Sequence, residues 1–121
     1  MIRLTATVLG TPDIAALAGF YQRLLGWKRV IDEPDWIRIG PPDGGAGLSF
    51  QPEPEHVPPT WPAGDGDQQM QMHLDIEVDD LGASTALAVA EGATVADFQP
   101  QEHVRVLRDP DGHPFCLWVR A

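Results

Sequence analysis

A histidine, a cysteine and an acidic residue are the side chains of this sequence that could combine in a chemical site. His73 and Asp75 share a segment in which polar and apolar residues alternate, which predicts a β-strand with both side chains on one face. Cys116 alternates in the same way with apolar neighbours. If the two strands adjoin, the imidazole and the thiol could form a nucleophile pair or bind a soft ion such as zinc. Asp75 and Glu77 are candidate general bases only if they are buried.

Each of these residues also has a purely structural explanation. His73 is equally well explained as a hydrogen-bonded histidine, because too few other metal ligands accompany it. Cys116 has no evident basic neighbour, which favours a small buried residue whose thiol pKa is normal or raised. Because the sequence offers the His73–Cys116 pair no third group to orient it, we assign no catalytic residue.

Four tryptophans in 121 residues are the second notable feature. Trp36 and Trp118 fall on predicted strands, Trp61 lies in a proline-rich segment that could cover a cleft, and Trp27 follows the first helix as a predicted core residue. Their rings could form an aromatic box for a flat or cationic ligand. The alternative is that Trp36 and Trp61 only cover the edges of the core.

The charge balance and the single cysteine limit the partners. Eight Lys and Arg against eighteen Asp and Glu give a formal charge of −10, which disfavours nucleic acid and anionic membranes and favours cationic ligands. No apolar run reaches the ~18 residues that a membrane span needs, and we expect no secretory signal. A lone cysteine, Cys116, excludes an internal disulfide and suits a reducing compartment, so we expect a cytoplasmic protein.

Two helices with equivalent start and stop signals organise the sequence. The first is predicted from an N-cap at Thr11, with Pro12 as first helical residue, to a glycine cap at Gly26. The second is predicted from residues 79–80 to Gly92. Strands are predicted at residues 2–10, 27–33, 36–40 and 47–52 around the first helix, and at residues 70–78, 94–99, 104–108 and 114–120 around the second.

The order βαβββ therefore occurs twice, which indicates an internal duplication within one α+β domain of residues 1–121. We assign residues 1–52 to the first module, 53–69 to a linker and 70–121 to the second module. The halves match at an offset of 67 residues, so Ala6 corresponds to His73. The Pro-Asp-Gly turns match at 68, so one half carries an extra turn residue.

Several motifs, in this order and spacing, resemble the vicinal-oxygen-chelate superfamily, and together they cover nearly the whole chain. They are Thr11-Pro12-Asp13 before a helix that ends in Leu24-Leu25-Gly26-Trp27, then Met72-His73-Leu74-Asp75 leading to Asp79-Asp80-Leu81, then Asp109-Pro110-Asp111-Gly112-His113. The segment Pro58-Pro59-Thr60-Trp61-Pro62 resembles a glyoxalase-like subgroup. The resemblance implies two βαβββ modules that form a curled mixed sheet around one cleft, and a homodimer.

The resemblance also implies where a metal would bind. Metal-using members of the superfamily take ligands from the first and fourth strands of each half. Those positions fall on His73 and Cys116 in the second half and on Ala6 and Ser49 in the first, so only His73 is a conventional ligand. Gln51, on the Ser49 face, is a candidate third donor for a soft ion. We therefore expect neither a metal nor another cofactor.

The function that the resemblance implies is small-molecule binding of the glyoxalase/bleomycin-resistance type, in which a cleft sequesters a drug without degrading it. We expect a cationic or aromatic ligand. The alternatives are a metal-dependent or His/Cys-based lyase, isomerase or dioxygenase, and a metabolite-sensing or purely structural domain, because a fold does not fix a function. The expected ligand-binding residues are His73, Cys116, Trp118, Trp61, Trp36, Ser49, Gln51 and Asp75.

Overall fold

Two helices and eight strands follow one another in the predicted order. The computed structural model describes all 121 residues, which divide into unit 1 (Met1–His56) and unit 2 (Val57–Ala121). Unit 1 contains β1 (Ala6–Thr11), α1 (Ile14–Leu25), β2 (Lys28–Glu33), β3 (Trp36–Gly40) and β4 (Gly47–Pro52). Unit 2 contains β5 (Leu74–Glu77), α2 (Leu81–Ala90), β6 (Thr94–Val95), β7 (Val104–Arg108) and β8 (Pro114–Trp118). Neither helix has the length and apolar character that would let it cross a membrane.

Helix α1 begins two residues later than the sequence predicts. Its N-cap is Asp13, whose Oδ1 accepts a hydrogen bond from Ala16 N at 3.0 Å. Thr11, the predicted cap, is instead buried, and its Oγ1 accepts from Asp13 N at 3.0 Å. The threonine therefore fixes the turn before the helix, and the carboxylate caps it. The predicted end is confirmed: Gly26 has a left-handed φ of 72° and donates to Gln22 O.

The sheet of unit 1 has the order β1-β4-β3-β2, with β1 parallel to β4 and the other neighbours antiparallel. Because side chains alternate along a strand, one face of this sheet packs on α1 and the other does not. Phe50 on β4 is fully buried and stacks on Tyr21 of α1, with ring centroids 6.1 Å apart. Trp27, predicted to be a core residue, is only half-buried. It follows the helix cap, beyond the buried stripe of α1.

The first strand is shorter than predicted because its partner ends. Strand β4 begins at Gly47, which lies opposite Ala6, so residues 2–5 have no neighbouring strand to extend the pairing. Leu4 and the residues before it are exposed.

The sheet of unit 2 repeats this topology in the order β5-β8-β7-β6, with β5 parallel to β8. Strand β6 has two residues where residues 94–99 were predicted. Its pairing stops because the Gln99 side chain takes the place of the backbone: its Nε2 donates to Val106 O at 2.9 Å and its Oε1 accepts from Val106 N at 3.0 Å. The loop that follows is thereby held against β7 without a strand conformation.

The strand register confirms the duplication. In unit 1, Ser49 lies between Val8 on β1 and Arg38 on β3; in unit 2, Cys116 lies between Asp75 on β5 and Val106 on β7. The parallel strands therefore match at the predicted offset of 67 residues, and β3 and β7 match at 68. The extra residue lies in the β3–β4 turn of unit 1, as the Pro-Asp-Gly turns indicate.

Candidate ligand-binding site

A cavity of about 380 Å³ in unit 2 brings together five of the residues expected to bind a ligand. Its volume lies within the range of ~300 to 1,000 Å³ that is usual for small-molecule pockets. The lining consists of Trp61, His73, Asp75, Pro100, Gln101, Val104, Val106, Cys116, Trp118 and Val119. The three other expected residues, Trp36, Ser49 and Gln51, lie in unit 1 on β3 and β4.

The floor of the cavity is the sheet face that alternation predicts. Strand β8 lies between β5 and β7, so Cys116 has Asp75 on one side and Val106 on the other. Trp118 is two residues further along β8 and therefore points to the same face. The thiol of Cys116 is buried, with 4% of the residue exposed.

His73 connects the acidic and the aromatic parts of the cavity. Its Nε2 lies 3.1 Å from Asp75 Oδ1, and its ring stacks on Trp61 with centroids 4.7 Å apart and an interplanar angle of 29°. The Trp61 ring also meets Phe98 edge-on at 5.6 Å. The hydrogen-bonded role considered for His73 is therefore present, and the contact with Trp61 fixes the imidazole plane. His73 retains 28% side-chain exposure and Asp75 64%, so both are accessible to a ligand.

The segment that carries Trp61 is anchored to unit 2 by an arginine. Arg108 Nη1 donates to Pro59 O at 2.7 Å and to Gly112 O at 3.0 Å, which links the segment to the turn before β8. Thr60 N donates to Gln68 O at 2.7 Å, and the Trp61–Pro62 peptide is cis. Trp61, which lies in a segment predicted as part of a linker, is thereby held beside the cavity that it lines.

The Cys116 thiol is protonated at neutral pH. Burial, the negative charge of Asp75 and a hydrogen bond to that carboxylate, in this order of importance, together raise its pKa from 9.0 to about 11. This confirms the expectation of a small buried residue with a normal or raised pKa. A thiol of this kind is a poor nucleophile because the reactive species is the thiolate.

Asp75 and Glu77 are not buried, and burial was the condition for either to serve as a general base. The Asp75 side chain is 64% exposed, and the Glu77 side chain is 42% exposed and pairs with Arg120, whose Nε lies 2.6 Å from Glu77 Oε2. Neither carboxylate therefore has the burial that was set as the condition for a general base.

Comparison with known proteins identifies the family. The sequence matches the glyoxalase-like domain family over residues 6–118, nearly the whole chain. The chain belongs to this family. The resemblance seen in the sequence motifs is thereby confirmed, as is the α+β fold of two βαβββ modules.

Solved structures share the fold of this glyoxalase-like domain at low sequence identity. A glyoxalase/bleomycin resistance protein/dioxygenase family enzyme from Burkholderia phytofirmans is 20% identical, with a TM-score of 0.76 and 98% of each chain covered. A glyoxalase-related enzyme from Fulvimarina pelagi is 21% identical, with a TM-score of 0.70 and 99% of this chain and 89% of that chain covered. A glyoxalase/bleomycin resistance protein from Albidiferax ferrireducens is 19% identical, with a TM-score of 0.67 and 98% of each chain covered. No curated protein matches the chain by sequence.

The donors of this glyoxalase-like domain do not fit the four-ligand metal site that the resemblance implies. Ala6 offers no donor, and Ser49 Oγ accepts a hydrogen bond from Arg38 Nε at 3.2 Å, which places a positive charge where a metal ion would need a ligand. In unit 2, the ligand atoms of His73, Asp75 and Cys116 lie within 4.8 Å of one another. This set of nitrogen, oxygen and sulfur suits zinc better than magnesium.

Within unit 2, Asp75 supplies a third donor atom beside those of His73 and Cys116. Gln51 belongs to unit 1, where its Nε2 donates to Glu53 Oε1 at 2.8 Å. Two residues that contact expected site residues were not predicted: Phe98, which meets Trp61, and Arg38, which donates to Ser49. Phe98 lies in an irregular segment, where no periodicity signals a ring contact. Arg38 could have been predicted from its strand pattern, because it alternates with buried Ile37 and Ile39 and therefore lies on the face opposite the core.

Proposed function

We propose that this glyoxalase-like domain binds a small organic molecule with an aromatic ring and a positive charge, without help from a metal. One observation carries the proposal: Trp61, stacked on His73, and the exposed carboxylate of Asp75 line the same cavity. A ligand of this kind would place its ring among the apolar and aromatic lining residues and its charge near the carboxylate.

The charge of the ligand follows from the charges of the lining. Asp75 is the one acidic residue there, and no Lys or Arg accompanies it. The His73 imidazole is its partner, and a ligand cation can approach the exposed side of the carboxylate. A cation over a tryptophan ring gains a further ~0.5 to 2 kcal/mol, and the formal charge of −10 attracts cations to the protein as a whole.

A titration with three probes tests the proposal. We expect 1-methylquinolinium, a planar cation, to quench tryptophan fluorescence saturably, whereas neutral naphthalene and non-aromatic tetramethylammonium bind more weakly. Asp75→Asn should weaken 1-methylquinolinium binding by about tenfold, the size expected for a lost charge contact. Asp65→Asn, at an exposed position outside the lining, removes the same charge and should change binding by less than about twofold. Equal binding of naphthalene, or equal loss in the two variants, would contradict the proposal.

The second candidate function is a metal-dependent or His/Cys-based lyase, isomerase or dioxygenase. The close approach of His73, Asp75 and Cys116 favours it. The raised pKa of Cys116 weighs against the metal-free version, because that mechanism needs a thiolate. The zinc-dependent version would require the metal to displace the thiol proton. Zinc titration followed by competition with a chelator distinguishes this candidate from binding of an organic cation.

The compartment, the oligomeric state and the fate of the bound ligand are also proposals. We infer a cytoplasmic homodimer that sequesters its ligand, as in the antibiotic-binding branch that the resemblance implies. The free, protonated Cys116 supports a reducing compartment. Light scattering coupled to size-exclusion chromatography tests the dimer, and recovery of unaltered probe after incubation tests sequestration without degradation.

A further inference from the structure

Unit 1 contains a second cavity, of about 220 Å³, that differs in charge from the cavity in unit 2. Arg3 and Arg38 line it, together with Thr5 and the glycine-rich turn between β3 and β4. Two of the chain's eight basic residues therefore meet at this cavity, and none of its eighteen acidic residues lines it. Against a formal charge of −10, this is a local concentration of positive charge.

The two arginines have free hydrogen-bonding capacity. Arg38 uses its Nε to donate to the buried Ser49 Oγ at 3.2 Å, which orients the guanidinium and leaves its two terminal nitrogens for a ligand. Neither Arg38 nor Arg3 forms an ion pair, whereas Arg29 and Arg120 have carboxylates at 3.0 and 2.6 Å. A guanidinium fork held in this way matches the two oxygens of a carboxylate or phosphate group.

The turn beside the cavity has no free glycine amide that could donate to an anion. Gly44 N, Gly45 N and Gly47 N donate to Pro41 O, to the Asp43 carboxylate and to Thr5 O, respectively. The backbone amides of these glycines are therefore engaged, and the arginines are the available donors. Gly47 also permits the close packing of the turn, since a Cβ there would lie 2.1 Å from a backbone oxygen of β3.

The two duplicated units carry different charges at equivalent strand positions. Arg38 occupies the register position of Val106, and Val8 occupies that of Asp75. Equivalent faces of the two sheets thus carry different charges: a cation on the third strand of unit 1 and an anion on the first strand of unit 2. Arg38 is half-buried and bonded to the buried Ser49, so its guanidinium is held at the sheet face.

We propose that unit 1 holds a binding site for a small oxyanion, a carboxylate or a phosphate group, with Arg38 as the principal contact and Arg3 as the second positive charge. The volume of the cavity suits a group of a few heavy atoms better than a drug-sized molecule. The site goes beyond the aromatic, cationic ligand proposed for unit 2 and depends only on residues of unit 1.

Calorimetric titration of the full chain with inorganic phosphate and with malonate, at constant ionic strength set by sodium chloride, tests this site. We expect saturable binding of at least one anion, and the stronger of the two identifies the group as phosphate or carboxylate. Arg38→Met should weaken binding by about 10- to 100-fold, the loss typical of a charge-assisted hydrogen bond. Arg38→Lys, which keeps the charge but not the fork, should fall between Arg38→Met and the unmodified protein.

Two further variants make the test decisive. Arg120→Gln removes one positive charge from an exposed position of unit 2 and should leave anion binding within about twofold. Arg3→Gln, at an exposed position before β1, should weaken binding without affecting the fold, so it replaces Arg38→Met if that variant does not fold. Absence of saturable binding, or equal losses in Arg120→Gln and Arg38→Met, would overturn the proposal. Phosphate or malonate binding that persists when 1-methylquinolinium does not bind would support this site independently of unit 2.

Discussion

Asp75 pairs with Cys116 across β5 and β8 as Val8 pairs with Ser49 across β1 and β4. The same backbone frame therefore presents a carboxylate beside a thiol in unit 2 and an apolar side chain beside a hydroxyl in unit 1. The carboxylate has two consequences within the cavity. It accepts from the His73 imidazole at 3.1 Å, and it raises the pKa of the thiol.

The first prediction concerns the aromatic wall. Trp61→Ala should weaken binding of the 1-methylquinolinium probe by about 1 to 3 kcal/mol, because a large ring that lines the cavity is removed. Trp118→Ala should have an effect of similar size. Trp27→Ala removes a half-buried tryptophan outside this lining and should leave the dissociation constant within about twofold. Fluorescence anisotropy of the probe measures all three, and equal effects would mean that the cavity does not hold the ligand.

The second prediction separates a half-buried from a buried aromatic residue. Phe50 is fully buried against Tyr21, so Phe50→Ala should lower the free energy of unfolding by about 3 to 5 kcal/mol. Trp27→Ala should cost clearly less, because part of the indole is already in contact with water. Urea unfolding of both variants provides the comparison. A larger loss for Trp27→Ala would restore the sequence-based assignment of this residue to the core.

The third prediction uses the pKa of Cys116, which is about 11 in the folded protein against a reference value of 9.0. Above pH 9 the unfolded chain loses the thiol proton while the folded protein keeps it, so stability falls as the pH rises through this window. The full contribution is present below pH 9, and up to roughly 2 kcal/mol is lost by pH 11. Cys116→Ala cannot lose this proton. Its deficit in unfolding free energy relative to the unmodified protein should therefore shrink between pH 9 and 11, and a constant deficit would contradict the raised pKa.

Element types could be predicted from periodicity, whereas some boundaries depended on tertiary partners. Strands β3, β4 and β7 have the predicted bounds. Strand β1 starts late because β4 begins at Gly47, and β6 ends early because the Gln99 side chain replaces the backbone pairing. Neither event has a local signal, since each depends on a residue distant in the sequence or on a side-chain conformation.

The same distinction applies to the site. Alternation along β5 and β8 predicted the face of Asp75, Cys116 and Trp118, because a strand with period two fixes the face of each side chain. That the two strands are neighbours, which brings these residues together, comes from the structure. Trp61 was a reasonable candidate from its motif. Its stacking partner Phe98 could not be found, because contacts between two irregular segments follow no period.

The last prediction is that the purified protein holds no tightly bound divalent metal. The positions that the resemblance implies for unit 1, Ala6 and Ser49, supply no usual ligand. Magnesium and manganese prefer cages of oxygen ligands, which a single exposed carboxylate at Asp75 cannot provide. Zinc finds three donor atoms within 4.8 Å, but it must displace the proton of a thiol whose pKa is about 11 and break the contact between His73 and Asp75.

Elemental analysis after dialysis, on protein without a histidine tag, measures the metal content directly. We expect well below one equivalent of zinc, nickel, iron and manganese, because three donors of which one is protonated bind weakly against water. His73→Ala provides the control. About one equivalent of metal in the unmodified protein that is lost in His73→Ala would refute metal-free binding and favour the enzymatic alternative. Metal that survives His73→Ala would instead be bound elsewhere, because removal of the imidazole leaves only Asp75 and the protonated thiol of Cys116 at this cluster.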